Sequence, residues 1–170
     1  SWGRDLPGRP ALISLVERLC REAGDARVRL GSLEPRTITE DFCRRAAALP
    51  NLCPHFHLSL QSGCDATLAR MNRKYDTSRY HESVELLRGY FPDPGIATDL
   101  IAGSPGESAE EFAQTLAFVE RCAFTSIHVF PYSRRPGTPA ADMPGQVPRE
   151  EREARSRRAI ALARDMEHRW

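Results

Sequence analysis

Three observations predict an α/β fold, a parallel-stranded partial TIM-type (β/α) barrel of about four β/α units. Short apolar segments alternate with helical patterns along the whole chain, each segment is reached through a crossover able to hold a helix, and a polar, glycine-containing loop follows most of them. With 170 residues, 41% hydrophobic and 28% charged, the chain can bury one sizeable core, so residues 1–170 read as a single domain.

The elements follow in order. Leu12, Leu15, Val16 and Leu19 fall at helical steps and form an apolar stripe, with Gly24 as a stop. Arg27-Val28-Arg29-Leu30 alternates like a first strand. Thr37 and Glu40 have the spacing of a capping box, which predicts a short helix running toward Leu49 before Pro50 and Pro54 break the chain. Residues 56–61 read as the second strand, Ser62-Gly63 as its turn, and Asp65 as the N-cap of a helix carrying Leu68 and Met71. A helix over 78–89, a Pro-rich loop and a third strand over 96–101 come next. Ser108 and Glu111 form another capping box, opening a helix that aligns Phe112, Leu116 and Val119, and the fourth strand covers 126–130. Residues 131–148 are rich in Pro and Gly and too long for a simple turn, which marks a functional loop. A mixed-charge helix begins near Arg149.

Bulk properties exclude several classes. A net charge of +1 supplies no global field for nucleic acid, and so neither reveals nor excludes an RNA partner. No stretch approaches the roughly 18 apolar residues of a membrane span, and Ser1-Trp2-Gly3-Arg4-Asp5 lacks the pattern of a signal peptide, so a cytoplasmic location without membrane contact is expected. Five cysteines are an odd number for a disulfide framework and are expected as thiols. None are spaced C-x-x-C, and there is no C-x-x-x-C-x-x-C triplet to hold a 4Fe-4S cluster, so no metal ligands are expected within the chain.

Parallel strands are normally apolar on both faces, and these are not. His55, His57, Ser59 and Gln61 share one face opposite Phe56, Leu58 and Leu60; Arg27 and Arg29 oppose Val28 and Leu30; Ser126 and His128 oppose Ile127 and Val129. A closed barrel fills its interior with branched apolar side chains, so a polar inner face predicts an open barrel with a cofactor-sized cavity. The alternative is a set of satisfied polar residues at a wet strand edge. Loops at 32–35, 61–63, 103–107 and 132–138 would share one rim, where such folds bind ligands, although ordinary turn chemistry explains any one of them.

Several segments resemble, in order, the radical S-adenosylmethionine (SAM) methylthiotransferases. They are Arg29-Leu30-Gly31-Ser32-Leu33-Glu34-Pro35, His55-Phe56-His57-Leu58-Ser59-Leu60-Gln61-Ser62-Gly63-Cys64-Asp65, Leu68-Ala69-Arg70-Met71-Asn72-Arg73-Lys74-Tyr75, Thr98-Asp99-Leu100-Ile101-Ala102-Gly103-Ser104-Pro105-Gly106-Glu107 and Phe130-Pro131-Tyr132-Ser133-Arg134-Arg135-Pro136-Gly137-Thr138. The Ser-Leu-Glu-Pro and Met-Asn-Arg-Lys-Tyr segments look most like the branch acting on threonylcarbamoyladenosine in tRNA. Ser104 departs from the aromatic usual at its position in the family, which removes any role that an aromatic would have there.

The resemblance implies a parent enzyme that methylthiolates C2 of N6-threonylcarbamoyladenosine in tRNA, using SAM, 4Fe-4S clusters and an electron donor. It places the third to sixth family strands here and residues 1–5 in the loop after the second. The cluster-bearing strand, an N-terminal domain and a C-terminal RNA-binding domain are then expected outside these residues, and the fragment alone is expected to be inactive. Gln61 and Ser62 are the first candidates for SAM contact, with an amide and a hydroxyl able to hold ribose or carboxylate; Gln61 merely capping a turn is the alternative. Asp99 is a further candidate, with a structural salt bridge as the competing explanation. Ile101 and Gly103 would form a close wall and the backbone from Phe130 to Tyr132 would read adenine, although core packing explains Ile101 and Phe130 equally well. Glu34 and Arg134 are the substrate-side candidates, with exposed ion pairs as their alternative. No residue is assigned covalent catalysis. Other readings are methylthiotransferases acting on isopentenyladenosine or on a ribosomal protein aspartate, and a cluster-free half-barrel that binds a nucleotide or a protein.

Overall fold

The computed structural model describes Gly3 and residues 5–169. Part of the loop expected over residues 1–5 therefore lies outside the described residues. The described strands are β1 (Ser32–Leu33), β2 (His55–Gln61), β3 (Gly95–Ala102) and β4 (Ser126–Pro131), all parallel and ordered β1-β2-β3-β4. The helices are α1 (Leu12–Glu22), α2 (Glu40–Ala47), α3 (Asp65–Arg70), α4 (Thr77–Tyr90), α5 (Ala109–Cys122), the short α6 (Pro139–Asp142) and α7 (Arg149–Arg169). Each strand is joined to the next through one or two helices, as parallel pairing requires.

One face of the sheet makes the core. Phe56, Leu58 and Leu60 of β2 and Ile96, Leu100 and Ala102 of β3 are buried with Tyr80, Val84 and Leu87 of α4, Phe112, Phe118 and Val119 of α5, and Ala159 and Met166 of α7. Helix starts are set locally. Ser108 accepts from Glu111 N–H while the Glu111 carboxylate accepts from Ser108 N–H, completing the expected capping box. Asp76 caps α4 by accepting from Arg79 N–H at 2.7 Å.

Four expectations shift. The first strand is Ser32–Leu33, whereas Val28 makes only an isolated bridge to Leu52, because register with β2 rather than local alternation selects the paired residues. Thr39, not Thr37, caps α2 by accepting from Phe42 N–H. Asp65 is the first residue of α3 and accepts instead from Thr77 N–H, tying α3 to the start of α4. In α1 the buried stripe is Ile13, Val16 and Cys20, with Leu19 exposed, since Glu17 on the adjoining flank is taken up by Arg45 of α2. The long loop after β4 contains α6, and all five cysteines are free thiols.

Candidate cofactor site

The face of the sheet turned away from the core carries the polar residues. Register sets Ser32 beside His57, Asp99 between Ser59 and His128, and Ile101 beside Phe130. Ser32 Oγ lies 2.9 Å from His57 Nδ1, and His57 Nε2 lies 3.2 Å from Asp99 Oδ1, so a polar chain crosses three strands. The salt-bridge alternative for Asp99 thus takes the form of a histidine neighbour. The Asp99 side chain keeps 26% exposure and, among the described residues, accepts no side-chain hydrogen bond, which leaves it lone pairs for a ligand hydroxyl.

Lower on the same face, Arg29 Nε donates to His55 Nδ1 at 3.1 Å. Burial first and the Arg29 charge second hold the His55 pKa below its ordinary value of 6.5. The unfolded chain therefore takes up this proton at higher pH than the folded one, and stability is expected to fall as pH drops through the ordinary histidine range. Urea denaturation from about pH 7.5 to about pH 5.5 checks this: His55→Gln should lose less stability than the wild type over that window, and an equal loss contradicts it.

At the C-terminal end of β2 the ladder slips by one residue between Ser59 and Gln61, and Gln61 takes a left-handed φ of 71°. A non-glycine residue in that region costs about 1–2 kcal/mol and persists only where its surroundings impose it. Here Leu60 N–H donates to Thr98 Oγ1 at 3.2 Å, and the Tyr75 hydroxyl donates to the carbonyls of Ser59 at 2.7 Å and Leu60 at 3.0 Å. Gln61 lines a cleft of about 560 Å³ together with Asp99, Ile101, Phe130 and Tyr132, closed on one side by Arg135 and Thr138 of the long loop. That volume falls in the range of small-molecule sites. Phe130 is 52% exposed, so it is not a core residue.

Five of the seven expected cofactor residues thus meet at one cleft. Ser62 is fully buried instead, with Oγ 3.1 Å from Thr115 Oγ1 and accepting from Cys64 N–H, so its hydroxyl ties the turn to α5. Gly103 has a left-handed φ of 77° and its N–H donates to Glu107 Oε2; a Cβ there would overlap the Arg152 side chain. Its missing side chain makes room for α7 rather than for a ligand. Glu34 is exposed ahead of a 3-10 turn, and Arg134 is exposed with Nε donating to the Ala141 carbonyl at 2.8 Å; neither lines the cleft. Tyr75 was assigned no role from the sequence. The only signal for it was its place at the end of the Met71-to-Tyr75 segment.

A parallel (β/α) half-barrel with a ligand cleft at the C-terminal ends of its strands defines the class, and residues 3–119 match the Radical SAM superfamily, to which the chain belongs. Coproporphyrinogen III oxidase (HemN) of Escherichia coli, a radical SAM enzyme, shares the fold with a TM-score of 0.74 over 94% of this chain and 38% of that one, at 20% identity. The radical SAM methyltransferase TsrM of Kitasatospora setae, solved with cobalamin and a [4Fe-4S] cluster, aligns with a TM-score of 0.62 over 76% of this chain and 26% of its own, at 17% identity.

More particularly, the chain is similar to tRNA methylthiotransferases. It is 41% identical over 98% of its length to the tRNA-2-methylthio-N(6)-dimethylallyladenosine synthase of Streptomyces viridosporus, covering 33% of that protein. It is also 41% identical over 91% of its length to the threonylcarbamoyladenosine tRNA methylthiotransferase MtaB of Thermotoga maritima, covering 35% of it. The chain therefore spans about a third of the length of these relatives. No described helix is long and apolar enough to cross a membrane.

SAM is the cofactor of this superfamily, and the cleft suits its adenosyl end. An amide and a carboxylate stand among apolar walls, the donor and acceptor mix that a ribose needs. A 4Fe-4S cluster does not fit these residues: among those described, no three His, Cys, Asp or Glu side chains are placed to share a metal ion.

Proposed function

We propose that this chain is the SAM-binding part of a cytoplasmic radical SAM methylthiotransferase that acts on N6-threonylcarbamoyladenosine in tRNA. When bound, SAM would supply the 5′-deoxyadenosyl group for radical chemistry, and Gln61, Asp99, Ile101 and Phe130 would hold it. The 4Fe-4S cluster, its electron donor and the sulfur source lie outside the described residues, so on this reading the chain by itself binds SAM without turning it over. The Gln61 amide holds the ribose or the methionyl end. The Asp99 carboxylate accepts from a ribose hydroxyl, Ile101 and Phe130 cover the adenine, and the backbone at Tyr132 borders its edge. The long loop borders the site and limits solvent access to it.

The observation that carries this reading is the left-handed backbone at Gln61. Glycine would hold that φ at no steric cost, so a glutamine there, braced by Tyr75 and facing a cleft, is supported as a ligand-binding side chain. Two variants test it by calorimetric titration with SAM alongside thermal unfolding. Gln61→Gly is expected to weaken SAM binding about 10-fold, the loss of one or two hydrogen bonds, while stability stays level or rises by up to about 1 kcal/mol. Gln61→Ala should weaken binding equally and, since alanine carries the same left-handed strain as glutamine, leave stability near that of the wild type. Unchanged SAM affinity in both would remove Gln61 from the site.

A further inference from the structure

Beside the cofactor cleft lies a smaller cavity of about 220 Å³, between α3, the turn after β3 and the loop carrying α6. Tyr132 and Ile101 line both spaces, so they form the partition. The smaller cavity collects polar atoms that nothing satisfies. Arg70 Nε, Arg73 Nε, Ser104 Oγ and the Tyr132 hydroxyl, all on residues that line it, are each sealed from solvent and have no hydrogen-bond partner among the described residues, and Ser104 is only 3% exposed. Buried polar groups are almost always partnered, so atoms gathered at one void call for an occupant.

The donor set says which kind. Arg70 also lines the cavity, but its charge is matched by Glu111, with Nη1 3.0 Å from Oε1. Arg73 has no carboxylate partner among the described residues, so the cavity has one cation to spare. A guanidinium N–H and two hydroxyls, set among the apolar surfaces of Met71, Met143 and Pro105, suit a single carboxylate on a short carbon stem. A purely apolar group would leave the sealed Arg73 Nε without an acceptor.

We propose that this cavity is a carboxylate subsite opening beside the SAM cleft, with Arg73 as its charge partner and Ser104 and Tyr132 as its hydroxyl donors. Resting on the threonylcarbamoyladenosine reading above, its occupant is the threonyl carboxylate of that nucleoside. The α-carboxylate of SAM is the other source with the same chemistry. Arg134, the guanidinium first considered for this task, faces solvent and lines neither space.

The test measures binding of three probes to the intact protein and to its Arg73→Gln and Ser104→Ala variants: N6-threonylcarbamoyladenosine, N6-dimethylallyladenosine and SAM. Loss of a charge-assisted pair should weaken threonylcarbamoyladenosine about 10- to 100-fold in Arg73→Gln and by less in Ser104→Ala, with dimethylallyladenosine unchanged. A fall confined to SAM keeps the subsite and assigns it to the methionyl carboxylate. Equal affinity of all three probes for wild type and Arg73→Gln overturns the subsite. Wild-type protein that prefers dimethylallyladenosine overturns the threonylcarbamoyl reading, and the subsite then stands or falls on the SAM arm alone.

Discussion

Arg155→Met is expected to cost about 3–5 kcal/mol of folding stability, the usual penalty for stranding a buried charge. Glu107 has no side-chain exposure, and Arg155 has 8%. Glu107 Oε2 accepts from Gly103 N–H at 2.7 Å and from Arg155 Nη1 at 3.0 Å, while Arg155 Nη1 also donates to the Glu107 backbone carbonyl at 2.8 Å. Burial pushes the Glu107 pKa above its ordinary 4.5 even with Arg155 in place. Without Arg155 the folded state holds that proton more tightly still, whereas the unfolded chain releases it near the ordinary value. The deficit should therefore widen as pH rises from about 5 to about 8. Urea denaturation at the two pH values measures it, and a deficit that stays constant with pH contradicts this account. Glu107→Leu combined with Arg155→Met should recover much of the loss, because an apolar pair leaves no charge to strand. The pair fastens the turn after β3 to α7, and that turn carries Ser104 of the smaller cavity.

The second large effect lies behind the cleft. Tyr80→Ala is expected to cost about 3–5 kcal/mol, since Tyr80 is fully buried and its ring lies 6.0 Å from Phe118, 6.0 Å from Phe124 and 6.2 Å from Tyr75. Tyr80→Phe should cost only about 1 kcal/mol. The Leu58 carbonyl that accepts the Tyr80 hydroxyl at 2.9 Å also accepts Thr98 Oγ1 at 2.6 Å, so it keeps a partner. Thermal unfolding separates the two variants. The consequence reaches function through Tyr75, which packs on Tyr80 and braces the slip in β2, so Tyr80→Ala should also weaken SAM binding where Tyr80→Phe does not. Matching SAM affinities in the two would disconnect the core from the cleft.

Much of this was legible in the sequence because period-two alternation is a local property. His55, His57 and Ser59 could point only one way once Phe56, Leu58 and Leu60 were buried, and the Ser108 capping box needed nothing beyond its own turn. What failed depended on partners distant in sequence. Arg27-Val28-Arg29-Leu30 alternates as well as a strand does, yet pairing with β2 falls on Ser32–Leu33. Ser62 and Gly103 lie in loops that face the rim, and the sequence gives no sign that Thr115 and Arg152 would draw them inward. Tyr75 and the role proposed for Arg73 were missed for the converse reason, because both depend on side chains of the segment between α3 and α4, one meeting the end of β2 and the other lining a cavity beside the cleft.

The most direct test of the central claim, a SAM cleft at the C-terminal ends of β2, β3 and β4, is a titration of isotope-labelled protein with SAM followed by amide chemical shifts. The largest changes are expected at Gln61, Asp99, Ile101 and Tyr132. Saturable binding that leaves those amides still and moves those of the separate cleft beside Cys20 and Asn51 would contradict it.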